Sequence, residues 1–413
     1  MLQRSHLLAL LFLIGAPANA TSQDAPQHQH HAERAKASAW HLMQDAVAFF
    51  TYNDQGGPRG GRDFNVQNWW MGMTQRPAAG GTLQFNLMLS LEPATLGKDG
   101  YREIFQAGET ANGLPLIDRQ HPHEFLMQAA AVFRRPLGRG YALTLAGAPV
   151  GEPALGPVAF MHRASAGPNP TAPLGHHTLD STHIAMGVVT AALDRGPFQV
   201  EASLFNGREP DEQRWDLMDP GALDSWSVRG WYRPGTKWSF QISHGLLRDP
   251  EALEPGNVRR TTASGSWTTD SAAASVIYGR NDKSVESYNV LLAEGRQAFG
   301  ATSLYGRYEA VQVETDLLRF GSHDTGKLKQ NAHVLDDINR TDLVQALTLG
   351  ALQQFARWGG WDLGVGGDAT VYRVPAALQP THGRRPVSFH VFLRLRPPAS
   401  MGRMVNMTMI SSH

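Results

Sequence analysis

The stretch TLQFNLMLSL, residues 82–91, decides the fold. Leu83, Phe85, Leu87, Leu89 and Leu91 fall on one side of a two-residue repeat, and Thr82, Gln84, Asn86, Met88 and Ser90 on the other. A helix would scatter these residues around its axis, whereas an extended strand separates them onto two faces. The pattern returns near the other end. Val387, Phe389, Val391, Leu393 and Leu395 alternate with Ser388, His390, Phe392, Arg394 and Arg396. Trp361, Leu363, Val365, Gly367, Ala369 and Val371 alternate with Asp362, Gly364, Gly366, Asp368 and Thr370.

The connections carry a second regularity. Short breaks at 76–81, 136–140, 195–197, 234–237, 268–271, 295–300 and 358–360 alternate with longer ones at 54–61, 97–121, 150–180, 207–224, 248–257, 281–284, 315–340 and 375–385. Short turns at one end and long loops at the other predict an all-β transmembrane antiparallel barrel. The count is about 16 strands, within 14–18, with both termini at the short-turn, periplasmic end. Trp231, Trp238, Trp267, Trp358 and Trp361 flank short turns, where a membrane–water interface selects amphipathic rings. The C-terminal MVNMTM also alternates, so a further strand there is an open alternative.

The ends and composition agree with export. MLQRSHLLALLFLIGAPANA has one arginine, a short apolar run and small residues, which predicts a signal peptide over 1–20. Residues 21–39 are expected to be a disordered, His-containing segment, 40–397 the outer-membrane barrel, and 398–413 a Met-containing tail. There is no cysteine, which excludes zinc–thiolate and cysteine-nucleophile chemistry. Lys plus Arg equals Asp plus Glu at 37 each, so no nucleic-acid partner is indicated. The expected partners are outer-membrane lipid, the barrel-assembly machinery, and small solutes or metal ions.

In its leader, alternating strands, loop rhythm and amphipathic last strand, the chain resembles a bacterial outer-membrane β-barrel of the porin-like class. LPLIDRQHPHEF and LFNGREPDE are also similar to segments of uncharacterised proteobacterial barrels. The resemblance covers about 40–397 and implies residence in the outer membrane of a Gram-negative bacterium. The expected function is passage of small polar or ionic solutes through a lumen narrowed by loops, without enzyme activity. It departs from the class at its end, where PPASMGRMVNMTMISSH follows the last strand in place of a terminal aromatic residue.

In a barrel, chemistry belongs on inward positions and long loops. IDRQHPHEF (117–125) and GHHTLDSTH (175–183) lie on two such loops and concentrate five of the 17 histidines. The predicted lumen or constriction residues are Asp118, Arg119, His121, His123, His162, Arg163, His176, His177, Asp180, His183, Arg208 and Glu209. One reading is an array of opposed charges that sorts solutes. A second is a transition-metal site, copper or zinc, on His121, His123, His176, His177 and His183, because neutral imidazole suits both ions. Strictly extended backbone would send His176 and His177 to opposite faces, while His121 and His123 would share one. The QHQHH of the N-terminal segment and Met401, Met404, Met407 and Met409 of the tail lean the same way, since thioethers prefer Cu(I). A third reading is a hydrolase built on Asp180, Ser181 and His183, although no G-x-S-x-G elbow is present. The plainest is that these polar residues tie two loops together.

Overall fold

The computed structural model describes residues 40–411 apart from 219–220, 253–255, 285, 321–339, 359 and 399–400. The leader and the segment up to 39 lie outside the described residues.

Sixteen strands close an antiparallel barrel. They are β1 (His41–Gln55), β2 (Gly61–Ala78), β3 (Gly81–Leu89), β6 (Leu126–Gly138), β7 (Tyr141–Gly151), β8 (Ala185–Arg195), β9 (Phe198–Asn206) and β10 (Ser225–Tyr232). The wall continues with β11 (Trp238–Leu247), β12 (Val258–Thr268), β13 (Ala272–Asp282), β14 (Ser287–Phe299), β15 (Thr302–Glu314), β16 (Thr341–Trp358), β17 (Trp361–Arg373) and β18 (Val387–Arg396). β18 pairs with β1, Leu393 opposite Phe50, so no strand edge is left open. A separate hairpin, β4 (Tyr101–Ala111) and β5 (Leu114–Gln120), sits within the β3–β6 connection. That hairpin was not expected in the 97–121 loop.

The two-residue repeat becomes the two faces of the wall. Phe85, Leu87, Val365, Val371, Val387, Phe389, Val391 and Leu393 are exposed on the outer face. Gln84, Asn86, Asp368, Thr370, Ser388 and His390 are buried inside. An apolar exterior around a polar interior is what a bilayer demands of a barrel, because lipid offers no hydrogen-bond partner. At the short-turn end, Phe198, Tyr232, Phe240, Trp238 and Trp267 form a continuous row of ring contacts on the outer face. Trp231 does not join this girdle. Its parity turns it inward, where it is buried between the guanidinium groups of Arg229 and Arg233.

The interior is filled rather than left as an open tube. The β7–β8 connection, 152–184, is almost wholly buried. It crosses the lumen to the far wall. Arg307 of β15 donates to the carbonyls of Thr171 and Ala172 at 3.0 and 3.1 Å. Arg260 of β12 donates to the His177 carbonyl at 2.5 Å. Arg229 of β10 holds the near end through Glu152 and the Gly156 carbonyl.

The C-terminal segment takes the tail reading, not the open alternative of a further strand. Residues 401–411 form no strand. Met404, Met407, Met409 and Ile410 are buried, and polar groups inside the barrel hold the tail backbone. The Met404 N–H donates to Asp45 at 3.0 Å, and Asn86 donates to the Met409 carbonyl at 2.8 Å. The Asn406 N–H donates to the His162 carbonyl, so tail and inner loop meet.

Candidate functional site

Five imidazoles stand in a closed circuit inside the barrel. Ring centres are 5.3 Å apart for His121–His177, 5.4 Å for His177–His176 and 5.3 Å for His176–His183. His183–His123 at 5.4 Å and His123–His121 at 6.2 Å complete it. Phe160 packs against His123, His176 and His183.

Local structure assembles the circuit in a way that extended backbone would not. His176–Leu179 is a single helical turn, followed by a 3₁₀ turn at Ser181–His183. The adjacent pair His176 and His177 therefore both contact His121. The β4–β5 hairpin is bulged, with register breaks around Ala107, and Glu109 takes φ +57°. Bulges re-aim side chains, and this one brings Glu109 to 3.2 Å from His121 Nε2, without hydrogen-bond alignment. Gly108 has φ +146°, and a Cβ there would lie 2.3 Å from the His177 ring. Only glycine lets that ring approach so closely.

Every ring is held by its Nδ1. Glu92 accepts from His123 at 2.8 Å, Asp180 from His176 at 2.7 Å, and Glu209 faces His177 at 3.4 Å. The His183 Nδ1 reaches the Asp180 carbonyl at 2.8 Å, and that of His121 the Pro122 carbonyl at 3.2 Å. Carboxylate and carbonyl oxygens can only accept, so each Nδ1 carries the hydrogen. In the neutral ring the lone pair then sits on Nε2. All five Nε2 atoms are buried without a hydrogen-bond partner.

The electrostatics divide the set. Burial, reinforced by neighbouring rings, pushes His121 and His183 well down and keeps them neutral. Burial also lowers His176, against the pull of Asp180. At His123 and His177 burial works in the same direction, but the charges of Glu92 and Glu209 outweigh it and raise both. Burial pushes the Glu109 carboxyl up against the opposing charge of Arg214. Arg214 pairs with both Glu109 and Glu124.

The remaining sequence-predicted residues go elsewhere. Arg163 is buried and paired with Asp180 at 2.6 Å and Glu294 at 2.7 Å. Asp118 pairs with Arg59 at 3.0 Å and His382 at 2.9 Å. Arg119 donates to the carbonyls of Asp99 and Gly100, and Arg208 pairs with Asp224 at a largely exposed position. These arginines are tied to neighbours instead of facing carboxylates across a gap. His162 lies apart from the circuit, its Nδ1 on the Met404 carbonyl at 3.1 Å, and burial holds it down at about 4. The hydrolase arrangement is not formed. His183 meets the main chain of Asp180, and Ser181 is bonded to the His177 carbonyl and Arg260.

Sequence reasoning missed Glu92, Glu109, Glu124 and Arg214. Glu92 closes the TLQFNLMLSL strand as its first charged residue, which is a usable signal. Glu109 has none, because only the hairpin bulge places it.

No protein-family model matches the chain, and no curated protein does either. Solved structures do resemble it. An anion-selective porin from Comamonas acidovorans superposes with a TM-score of 0.52 at 11% identity, over 87% of this chain and 100% of that one. OprB of Pseudomonas putida gives 0.50 at 10% identity, over 89% and 95%. The fold is thus that of the bacterial outer-membrane porins, a 16-stranded closed antiparallel barrel.

Proposed function

We propose that this chain is a metal-handling barrel of the Gram-negative outer membrane that binds a transition-metal ion in its lumen. His121, His123, His176, His177 and His183, with Glu109 as an oxygen donor, are the pool from which a tetrahedral ion takes four ligands. The observation that carries the reading is the set of five buried Nε2 atoms without a hydrogen-bond partner, each on a ring oriented from behind; that of His121 has a Glu109 oxygen at 3.2 Å. Leaving a buried acceptor unmet costs about 1–3 kcal/mol, so five together favour an occupant. A carboxylate or carbonyl behind each ring is the usual support of metal-bound histidine. Two imidazoles sharing a tetrahedral ion at about 2.0–2.1 Å put their ring centres about 5 Å apart. The spacing here is 5.3–6.2 Å. Among the described residues no group of three or more His, Cys, Asp or Glu side chains is arranged to hold a metal ion, so on this reading the rings turn inward when the ion binds. Imidazole with carboxylate suits Zn(II), Cu(II) or Ni(II).

A second reading, passage of small ions, is favoured by one observation. A cavity of about 340 Å³ is lined by His121 and His123 at one end and by Arg394, Arg396 and Arg403 at the other. It offers a route between the histidine circuit and the short-turn end.

Equilibrium titration of the folded barrel in detergent with Zn(II) and Cu(II) tests the main reading. Stoichiometric binding at micromolar metal, abolished in His121→Ala/His123→Ala with strand content unchanged, is expected. A folded wild-type barrel that binds neither ion refutes it.

A further inference from the structure

Eleven of the 13 methionines belong to, or pack on, the buried clusters; the others are Met1, outside the described residues, and Met401. This is an unusual filling for a porin-type lumen, whose inner wall is ordinarily polar. Within it is a hole of about 20 Å³ lined by five methionines (Met71, Met88, Met127, Met407 and Met409), by His162 and His183, and also by Gln128, Glu152 and Thr408. That is room for a single atom and too little for a solute. His183 also belongs to the imidazole circuit, and its Nε2 has no hydrogen-bond partner.

Packing alone accounts poorly for this arrangement. Methionine fills irregular gaps, but here the tail that brings Met407 and Met409 is clamped in place by its backbone. The Met409 N–H donates to Glu152 at 3.2 Å, and its carbonyl accepts from Asn86 at 2.8 Å. Gly151 leaves the space that the Met409 sulfur occupies: a Cβ there would lie 2.7 Å from Sδ. Three strands and the tail thus bring five methionines to one atom-sized hole beside two imidazoles, those of His162 and His183. Thioether and imidazole donors without thiolate select Cu(I) among biological ions.

We propose that this hole is a second metal site, specific for a soft monovalent cation of the Cu(I) class. It borders the imidazole site, and the two compete for the single Nε2 lone pair of His183, so only one ion at a time takes that ring. Binding involves no electron transfer; the ion enters already monovalent.

The test uses Ag(I), which is soft, monovalent and redox-stable, with Zn(II) as the borderline probe, on the full folded chain. Wild type is expected to bind Ag(I), and Met407→Leu/Met409→Leu to lose it while keeping Zn(II). Leucine conserves volume, so folding is retained. X-ray absorption of the Cu(I)-loaded wild type is expected to show sulfur neighbours that the double variant lacks. A wild type that binds no Ag(I), or a double variant that binds it as tightly as wild type, overturns the proposal and leaves the imidazole reading intact. Ag(I) bound through the methionines with no Zn(II) bound at all upholds this site and removes the other.

Discussion

Replacing Glu92 by glutamine removes one charge and almost no volume. Glu92 is buried, accepts from His123 Nδ1 at 2.8 Å and His123 N–H at 2.9 Å through Oε2, and accepts from the Asn68 N–H at 3.2 Å through Oε1. Glutamine keeps one oxygen but turns an NH2 towards a donor, so the ring loses both its charge partner and part of its orientation. Changing such a supporting group typically weakens metal binding about 10–100-fold, or about 1.4–2.7 kcal/mol. The pH dependence gives a second handle. Glu92 raises the His123 pKa, so in wild type the ring holds its proton to higher pH and must release it to bind metal. Without Glu92 less proton is released. The weakening should therefore be largest in alkaline solution, where His123 is neutral in both proteins, and should shrink as pH falls. Competition against a chromophoric chelator across that range measures it. Affinity equal to wild type at alkaline pH, in a folded variant, would refute the reasoning that carboxylates behind the rings tune a metal site.

Gly108→Ala should push the His177 ring by about 1 Å, from a 2.3 Å clash to ordinary contact, well beyond the ±0.2 Å or so that a metal bond tolerates. Zn(II) affinity should fall at least about tenfold, and an unchanged titration would show that His177 is not a ligand. Arg163→Gln leaves Asp180 buried without its cation and Glu294 with Arg307 alone, which should cost about 3–5 kcal/mol in denaturant unfolding; a loss near zero would mean water reaches the pair. Deleting 398–413 should raise single-channel conductance several-fold, and equal conductance would show that the tail does not obstruct the lumen. Val391→Arg places a charge on the apolar outer face and should destabilise the barrel by about 2–4 kcal/mol if it lies near the bilayer midplane; refolding equilibria in vesicles report it.

The barrel could be read from the sequence because its governing rule is local. A strand buried on neither side alone must alternate, and lipid punishes any lapse, so TLQFNLMLSL and VSFHVFLRLR show the period directly. The same rule explains one misplacement and one alternative left open. Trp231 lies near a short turn, but position along the strand says nothing about parity, and parity turns it inward. The alternating MVNMTM was open to reading as a strand, yet a segment pressed into a packed lumen also meets two unlike surfaces. Period alone does not distinguish a partner strand from a partner cavity.

The site was legible only in part, for a reason that lies in the chain's geometry. The histidines cluster in two short segments, so composition pointed to them. Whether they could share an ion depended on backbone that composition does not reveal. A helical turn at His176–Leu179 and a bulge before Glu109 supply what extended chain would have denied. The carboxylates that orient the rings come from three different connections: Glu92 after β3, Asp180 between β7 and β8, and Glu209 after β9. No spacing rule links residues so far apart. What links them is closure of the barrel, which folds three long loops into one interior. There, a buried charge or imidazole must find a partner. The arginines found carboxylates or main-chain carbonyls. The Nδ1 atoms found oxygens. The five Nε2 atoms are the remainder of that pairing, and the proposed metal ion is the partner assigned to them.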